Sequence, residues 1–560
     1  LEVHVVLVCS LLPAHPGDLG VHLTGCFARP SGGLSVKATT FLRLGETTAT
    51  TGDGELTGSG SADGAGSSTT DVANTTTAGT TSTATTGVEE DPSVGDAEKP
   101  EILEVTLPAE VYAAGPVPIV VDTKNVGTVL VQLDGVDAGE LLAVGDGTFT
   151  GNLPVHGAID NGPHEVEIIA TQGELAVQST AYYNVKTPMP GTEAWSQAGP
   201  AGSRTNRIAV TPEGDLIEVG QIEINGVAHP TIRKRSGLTG TELWPEGTIT
   251  LDTREGAVVD VSVLPDGGMW VAMNVREPMM DPRPRITLLD ADGHATDADI
   301  LGTSGRVVRG IAADADGGCF AVGVAGVQGD WDFAYWRITQ AGVQTLGDVF
   351  DYQPGVWPHK FRDMANDVVI DADVAWVVGS SQGPHEVDFQ YTRGVLVPMD
   401  LHTGEVFAPV IVAPKSGLWM QSAFLGGTLH PQGVLVTGYG CDGPCETYRI
   451  ETSLYTAAGD RPWHMPETPI DGLAYGSDLA LDSQGRALVA GTVTQGGKLR
   501  GYVFGRAIGQ NGWPALEHSY PGIGPSEALG IARDGFDRIF PVGYITVNGK
   551  SQARITLIHG

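Results

Sequence analysis

An aromatic and basic cluster marks the segment 347–364, GDVFDYQPGVWPHKFRDM, in an otherwise acidic sequence. Aromatic side chains supply contact area, and cationic groups supply charge-assisted hydrogen bonds. We therefore predict a ligand- or partner-binding patch here; the alternative is an irregular loop that packs on itself. Its candidate residues, including two in neighbouring loops, are Tyr352, Trp357, His359, Lys360, Arg362, Trp331 and His385.

The cysteines suggest a covalent link and not a metal centre. Cys441-Asp-Gly-Pro-Cys445 encloses a turn that could bring two sulfurs together, so we predict a disulfide between Cys441 and Cys445; the alternative is a pair of free thiols. A zinc site would need two more ligands nearby, and His430 alone does not supply them. Cys319 occupies a strand position and is interpreted as a small buried apolar residue.

Signatures of catalysis are mostly absent, since the sequence has no Walker loop and no His-Glu-x-x-His motif. A Gly-x-Ser-x-Gly match at 379–383 is followed by a polar loop instead of a helix. Two acidic turns, 290–293 and 314–317, resemble halves of calcium loops but are interpreted as hairpin turns. We therefore predict no catalytic residue, no metal and no cofactor.

Composition restricts the partners. With 32 basic and 67 acidic residues among 560, the formal net charge is −35, which repels phosphate backbones and anionic lipids. Nucleic-acid binding is thus not expected.

In the amino-terminal segment, 1–44, an apolar run precedes Leu-Thr-Gly-Cys26, which resembles a bacterial lipobox. This resemblance implies lipidation of Cys26 and a signal segment.

Two segments follow with contrasting composition. Residues 45–100 consist mainly of Thr, Gly, Ser, Ala and acids, too few apolar side chains to offset ordering entropy, so we predict a disordered linker. Residues 101–187 carry about seven short apolar strands separated by Asp-Gly and Asn-Gly turns, which predicts a β-sandwich. It resembles the bacterial immunoglobulin-like modules of cell-surface proteins.

Seven copies of a strand–turn–strand pattern occupy the rest of the chain, 50–59 residues apart. A lone four-stranded unit cannot bury both its faces, so we predict a seven-bladed β-propeller over 190–560. The last copy lacks its Gly-Trp ending, and residues 191–195, Gly-Thr-Glu-Ala-Trp, supply it ahead of the first copy. Strand 191–195 is therefore expected to complete the seventh blade, with Trp195, Trp244, Trp463 and Trp513 on outer strands between blades.

The copies resemble a seven-bladed repeat family of secreted bacterial proteins, whose pattern is strand, Asp-x-x-Gly, strand-Gly and Gly-x-x-x-Trp. The resemblance implies an all-β fold and secretion, and it carries no assigned reaction. We expect a monomeric, extracellular or surface-tethered recognition scaffold whose partner is a protein or glycan. The alternative is an extracellular hydrolase or lyase with its site at the mouth of the propeller channel.

Overall fold

The computed structural model describes the carboxyl-terminal four fifths of the chain with short gaps. The described residues are 99–156, 160–327, 330–350, 362–382, 392–413, 421–441, 447–467, 472–509, 516–522 and 524–560. The predicted signal segment and all but the end of the predicted linker lie outside them. In this part the chain is all-β, and no helix there is long and apolar enough to cross a membrane.

Nine strands form two facing sheets between Glu101 and Val185. One sheet has the order β1-β3-β7-β6, and the other has the order β2-β9-β8-β4-β5. The strands are β1 (Glu101–Thr106), β2 (Glu110–Val111), β3 (Gly115–Lys124), β4 (Thr128–Leu133), β5 (Val136–Glu140), β6 (Leu142–Gly145), β7 (Thr148–Val155), β8 (Gly162–Gln172) and β9 (Leu175–Val185).

The alternation of side chains explains why these two sheets pack face to face. In β3 every second residue is buried, among them Val117, Ile119 and Val121. They meet Val166 and Ile168 of β8 in one apolar core, because successive strand residues point to opposite faces.

From Glu193 onward, the described residues form seven four-stranded antiparallel sheets. The first four strands after the sandwich are β10 (Glu193–Ala201), β11 (Ser203–Val210), β12 (Leu216–Ile224) and β13 (Val227–Arg235). They are followed by β14 (Thr248–Thr250), β15 (Glu255–Val263), β16 (Met269–Arg276), β17 (Arg283–Leu289), β18 (Ala295–Leu301), β19 (Arg306–Ala313), β20 (Cys319–Val327), β21 (Asp330–Ile338) and β22 (Gln344–Phe350).

The remaining strands continue the same order. They are β23 (Asp363–Asp371), β24 (Val374–Ser381), β25 (Arg393–Asp400), β26 (Ile411–Val412), β27 (Ser422–His430), β28 (Gly433–Gly440), β29 (Arg449–Tyr455), β30 (Trp463–Glu467), β31 (Ala474–Leu481), β32 (Arg486–Gln495), β33 (Lys498–Ala507), β34 (Leu516–Ser519), β35 (Ser526–Arg533), β36 (Ile539–Val547) and β37 (Lys550–Ile558). Sheets 1 to 6 take four consecutive strands each, starting from β11. Sheet 7 has the order β10-β37-β36-β35.

Sheet 7 joins the two ends of this region of the chain. Its outer strand, β10, precedes sheet 1 in sequence and pairs antiparallel with β37, so that Trp195 lies opposite Leu557 and Gln197 opposite Ile555. An edge strand of the last sheet is thereby covered by hydrogen bonds instead of being left open. The arrangement is consistent with a β-propeller.

Apolar side chains are buried between sheets. One buried cluster lies between each neighbouring pair, for example Val219 with Val258 between sheets 1 and 2. A cluster of Ile208, Leu216 and Phe540 lies between sheets 7 and 1. The first strand of each sheet packs on that of the next, and β35 packs on β11, so the series closes into a ring.

Two tryptophans connect neighbouring sheets through hydrogen bonds and ring packing. The indole N–H of Trp195 donates to the carbonyl oxygen of Leu238 at 3.0 Å, and that of Trp244 donates to the carbonyl oxygen of Ala291 at 3.3 Å. Each ring also packs on a glycine of the next sheet's turn, Gly240 and Gly293 respectively. The expectation that Trp244 sits on an outer strand was wrong: it lies in the connection before β14.

Candidate functional site

The first strand of every sheet in the ring carries an irregularity at the same place. In each, the pairing with the second strand skips one residue, which makes a β-bulge. We call the seven skipped residues, each with the residue that follows it, the bulge belt. The skipped residues are Asn206, Val259, Arg309, Asn366, Leu425, Ser477 and Leu529.

The bulge belt borders a cavity of about 460 Å³. Five of the skipped residues line it, together with Arg207, Asn274, Val307 and Val308. Because the first strands of six sheets contribute, the cavity lies on the axis of the ring. It is the place where side chains from distant parts of the sequence meet.

The type of residue that follows each bulge alternates between aspartate and glycine from sheet 2 to sheet 7. Sheets 2, 4 and 6 have aspartate there, and sheets 3, 5 and 7 have glycine; the seven residues in order are Arg207, Asp260, Gly310, Asp367, Gly426, Asp478 and Gly530. Each aspartate therefore has a glycine at the equivalent position of the following sheet.

Each of these aspartates connects two sheets through backbone N–H groups. Asp260 accepts through Oδ1 from Val261 N at 2.9 Å and through Oδ2 from Ile311 N, on the next sheet, at 2.8 Å. The same two bonds run from Val368 and Gly427 to Asp367, at 2.8 and 2.9 Å, and from Leu479 and Ile531 to Asp478, at 2.9 Å each. Each carboxylate thus provides acceptors for two backbone N–H groups, one in its own sheet and one in the next.

The glycines permit close approach of the following sheet. A Cβ on Gly310 would lie 2.7 Å from Asp367 Cα, and one on Gly426 would lie 2.9 Å from Asp478 Cα. On Gly530 it would lie 3.0 Å from Arg207 Cα. The contacts are with backbone atoms, which cannot rotate away, so the belt requires small residues at these positions.

The number of sheets is odd, so the three aspartate–glycine pairs account for sheets 2 to 7 and leave sheet 1. In sheet 1 the equivalent position is occupied by Arg207. Its Nη1 donates to the carbonyl oxygen of Leu529 and its Nη2 to that of Ser477 at 3.5 Å. Its Nε lies 4.0 Å from Asp478 Oδ2. Arg207 thus closes the belt between sheets 7 and 1.

Burial sets the charges of this cluster. It raises the pKa of Asp260, Asp367 and Asp478 above the ordinary value of an aspartate, although Arg207 opposes the shift. For Arg207, burial works to lower the pKa, and the carboxylates of Asp478 and Asp260 raise it above its ordinary value. These carboxyl groups consequently keep their protons to a higher pH than an ordinary aspartate does.

Arg309 differs from Arg207 in its lack of a countercharge. Its Nη1 donates to Asn366 Oδ1 at 3.0 Å, and Asn366 in turn donates from Nδ2 to the carbonyl oxygen of Phe424 at 2.8 Å. In the described part of the chain, no carboxylate oxygen lies within 4.0 Å of the guanidinium nitrogens of Arg309, and the residue is exposed to the cavity and solvent. Surrounding protein lowers the pKa of Arg309.

Two residues of the patch predicted from the sequence lie together. The guanidinium carbon of Arg362 is 5.0 Å from the ring centre of Trp331, and the two residues form a parallel backbone bridge. The predicted Tyr352, Trp357, His359, Lys360 and His385 lie outside the described residues. Two details were wrong: Trp331 is in β21, not in a loop, and the segment predicted as one loop, 347–364, includes residues of β22 (347–350) and of β23 (363–364).

The described residues include only some of the other predicted sites. Cys441 is buried, with its Sγ accepting from Gln421 N at 3.4 Å, whereas Cys445 and Cys26 lie outside the described residues. Cys319 is buried as a free thiol. Within the described ranges no group of three or more His, Cys, Asp and Glu side chains is placed to hold a metal ion.

The acidic turns resembling calcium loops are built as hairpins. Asp314 Oδ1 accepts from the backbone N–H groups of Asp316 and Gly318, at 2.9 Å each, and its Oδ2 lies 2.5 Å from Arg337 Nη2. Asp290 Oδ1 likewise accepts from the N–H groups of Asp292 and His294. The carboxylates organise the turn that joins two strands.

Sequence reasoning missed the bulge belt. A signal was present, because Asp260, Gly310, Asp367, Gly426 and Gly530 recur at the spacing of the repeat, each followed by a small or β-branched residue. Alignment of the second strands conceals it, since the belt lies on the first strands. The residues also differ chemically from sheet to sheet, so their common position is visible only after the strands are paired.

Comparison with known proteins gives no family. No protein-family model matches the sequence, and no curated protein does. Among solved structures, the polysaccharide lyase Uly1 is 11% identical over 63% of this chain and 89% of its own, with a TM-score of 0.40. Sqt1 from Chaetomium thermophilum is 11% identical over 67% of this chain and 100% of its own, with a TM-score of 0.38.

A subtype N10 neuraminidase-like protein of A/little yellow-shouldered bat/Guatemala is 12% identical over 54% of this chain and 94% of its own, with a TM-score of 0.35. At these identities and scores the likenesses support no inference about activity. The description of the fold therefore rests on the strand pairing of this chain itself.

Proposed function

We propose that the chain is a non-enzymatic recognition or adhesion scaffold of the cell surface. In this proposal an immunoglobulin-like β-sandwich spaces a seven-bladed β-propeller from the Thr- and Ser-rich linker, and the propeller presents the binding face. The closed series of seven sheets, with β10 as the fourth strand of sheet 7, supports the propeller. The sandwich order of the nine preceding strands supports the spacer.

The observation that carries the recognition role is the pairing of Arg362 with Trp331. The guanidinium of an exposed Arg362 lies over the half-buried indole, where the first strand of sheet 4 and the third strand of sheet 3 begin. Arginine and tryptophan are enriched among the residues that dominate binding energy at protein interfaces. The rigid indole provides a large contact at low entropic cost, and the guanidinium donates several hydrogen bonds and stacks on aromatic rings. The pair lies beside the other residues of the predicted patch in sequence.

The partner class is a protein or a glycan at the cell surface. Location outside the cell is supported by the composition of residues 45–100, by the Cys441/Cys445 spacing and by the Cys26 segment. A lipid anchor at Cys26 is the route to tethering in this proposal. The net charge of −35 favours partners without a phosphate backbone.

A pull-down from intact cell surfaces and a glycan array test this function. We expect Trp331→Ala combined with Arg362→Ala to abolish capture of the partner that the unchanged protein retains. Arg461→Ala is the matched control, since Arg461 is an exposed arginine in the turn between the third and fourth strands of sheet 5. Equal capture by the double variant would contradict the assignment of the site.

The enzymatic alternative, a hydrolase or lyase acting at the channel mouth, needs a group free to transfer a proton. The three aspartates nearest the axial cavity each accept two backbone N–H bonds, which favours a structural role for them. Added calcium or zinc distinguishes the two functions: a chelator-reversible rise in the melting temperature would favour a metal site and the enzyme.

A further inference from the structure

The axial cavity has the size and lining of a small-molecule site. Its volume of about 460 Å³ falls in the usual range for ligand pockets, about 300–1,000 Å³. One part of the lining is apolar, with Val259, Val307, Val308 and Leu425. The other part is polar, with Arg207, Arg309, Asn274, Asn366 and Ser477.

Most of the polar lining is already engaged by the protein. Asn274 donates to the carbonyl oxygen of Val308 at 2.8 Å and accepts from its N–H at 2.9 Å. Arg207 donates to carbonyl oxygens of sheets 6 and 7. Both side chains hold neighbouring sheets together, so neither is available to orient a ligand.

Arg309 is the charged residue of the lining that is not engaged in this way. A guanidinium has five N–H donors in a planar fork, and the hydrogen bond that Arg309 makes among the described residues is the one from Nη1 to Asn366. Asn366 orients the guanidinium plane of Arg309 without neutralising its charge. A cation held in a partly enclosed cavity without a countercharge favours binding of an anion, and two parallel N–H groups match a carboxylate.

We propose that the axial cavity binds a small organic acid, whose carboxylate pairs with Arg309 and whose aliphatic body packs on Val259, Val307 and Leu425. The apolar lining favours an organic carboxylate over inorganic phosphate. Among the described residues, no oxygen of Asp260, Asp367 or Asp478 lies within 4.0 Å of the guanidinium nitrogens of Arg309, so these carboxylates do not occupy it. This binding site is independent of the recognition role of the Trp331–Arg362 face.

Calorimetric titration of the full chain with hexanoate, acetate, hexanamide and inorganic phosphate tests the proposal. We expect hexanoate to bind saturably and at least about tenfold more tightly than acetate, because each buried methylene adds to affinity. Hexanamide, which lacks the charge, should bind at least about tenfold more weakly than hexanoate. Phosphate, which lacks the aliphatic body, should bind more weakly too.

Two variants separate the site from general effects of charge. Arg309→Gln should weaken hexanoate binding at least about tenfold, whereas Arg306→Gln, which removes the same charge from the same strand outside the cavity lining, should not. Leu425→Phe fills the cavity and should also weaken binding, which provides a second test if Arg309→Gln does not fold. Undiminished binding in Arg309→Gln, tighter binding of phosphate than of hexanoate, or no saturable binding would each overturn the proposal.

Discussion

Asp478 of sheet 6 accepts the backbone N–H of Ile531 of sheet 7 through Oδ2 at 2.9 Å, while its Oδ1 accepts from Leu479 at 2.9 Å. One carboxylate therefore stabilises its own bulge and attaches the next sheet. Its counterparts Asp260 and Asp367 do the same in sheets 2 and 4. The ring is held together near its axis by polar bonds and farther out by apolar clusters.

Removal of this carboxylate should destabilise the ring. Asp478→Ala leaves two buried N–H groups without an acceptor, each worth about 1–3 kcal/mol, so we expect a clear fall in the urea midpoint. Asp297→Ala, at an exposed position of β18, is the control and should unfold like the unchanged protein. A midpoint for Asp478→Ala equal to that of the control would show that the inter-sheet bonds contribute nothing.

Replacement of a belt glycine by a larger residue should destabilise the ring. Gly426→Ala would place a Cβ 2.9 Å from Asp478 Cα, and because the obstacle is backbone, sheets 5 and 6 must separate. We expect a loss of about 1–3 kcal/mol in the free energy of unfolding. Gly535→Ala is the matched change, since a Cβ at that position would have no atom within 4 Å. Comparable stability of the two variants would argue against close approach at the belt.

The raised pKa values of the belt aspartates predict a particular pH dependence. Burial raises the pKa of Asp260 in the folded state, so above pH ~4, where an unfolded aspartate loses its proton, the folded protein binds more protons than the unfolded one. The contribution of Asp260 to stability is therefore full below that pH and falls as the pH rises through the raised pKa.

Asp260→Asn removes this titrating group and should make the loss of stability with rising pH shallower. Urea midpoints measured in steps from about pH 4 to about pH 9 for both proteins give the comparison. Parallel midpoint curves would rule out titration of Asp260 in that range.

Asp252 should act with the opposite sign on the acid side. Burial works to raise its pKa, but hydrogen bonds from Arg254 and Arg285 lower it to about 2. Its stabilising contribution is present above the pKa of an unfolded aspartate and is lost as the pH falls toward about 2. We expect Asp252→Asn to reduce stability at about pH 6 more than at about pH 2.5, measured as the change in urea midpoint. An equal loss at both pH values would contradict the shift.

The fold was more readable in the sequence than the axial site. Second strands such as 216–220 and 487–491 are apolar runs ending in glycine after a polar turn, and these local features place them in β12 and β32. The bulge belt depends on pairing between strands and on contacts between sheets. Arg207, Asp260 and Gly310 occupy equivalent positions in the belt although their side chains differ, so no single residue type identifies the belt along the sequence.

The cysteine prediction can be tested by labelling. Burial raises the pKa of the Cys319 thiol, which should keep it unreactive in the folded protein. In denaturant without reductant, we expect alkylation at Cys319 and none at Cys441 or Cys445, and reduction should then expose Cys441 and Cys445 to labelling. Peptide mapping by mass spectrometry reports each site. Alkylation of Cys441 and Cys445 before reduction would exclude the disulfide.

The pairing of β10 with β37 allows a direct test of ring closure. Ser196 lies opposite Thr556 in this ladder, so Ser196→Cys with Thr556→Cys should form a disulfide that links strands 556 − 196 = 360 positions apart in the sequence. Cross-linking so long a segment restricts the unfolded chain, a gain of about 2–4 kcal/mol in typical cases. We therefore expect reduction to lower the melting temperature of the double variant more than that of either single variant, in which only the predicted Cys441–Cys445 bond can be reduced. If the two sulfurs fail to join, or if joining them leaves the melting temperature unchanged, then β10 does not hold the ring closed.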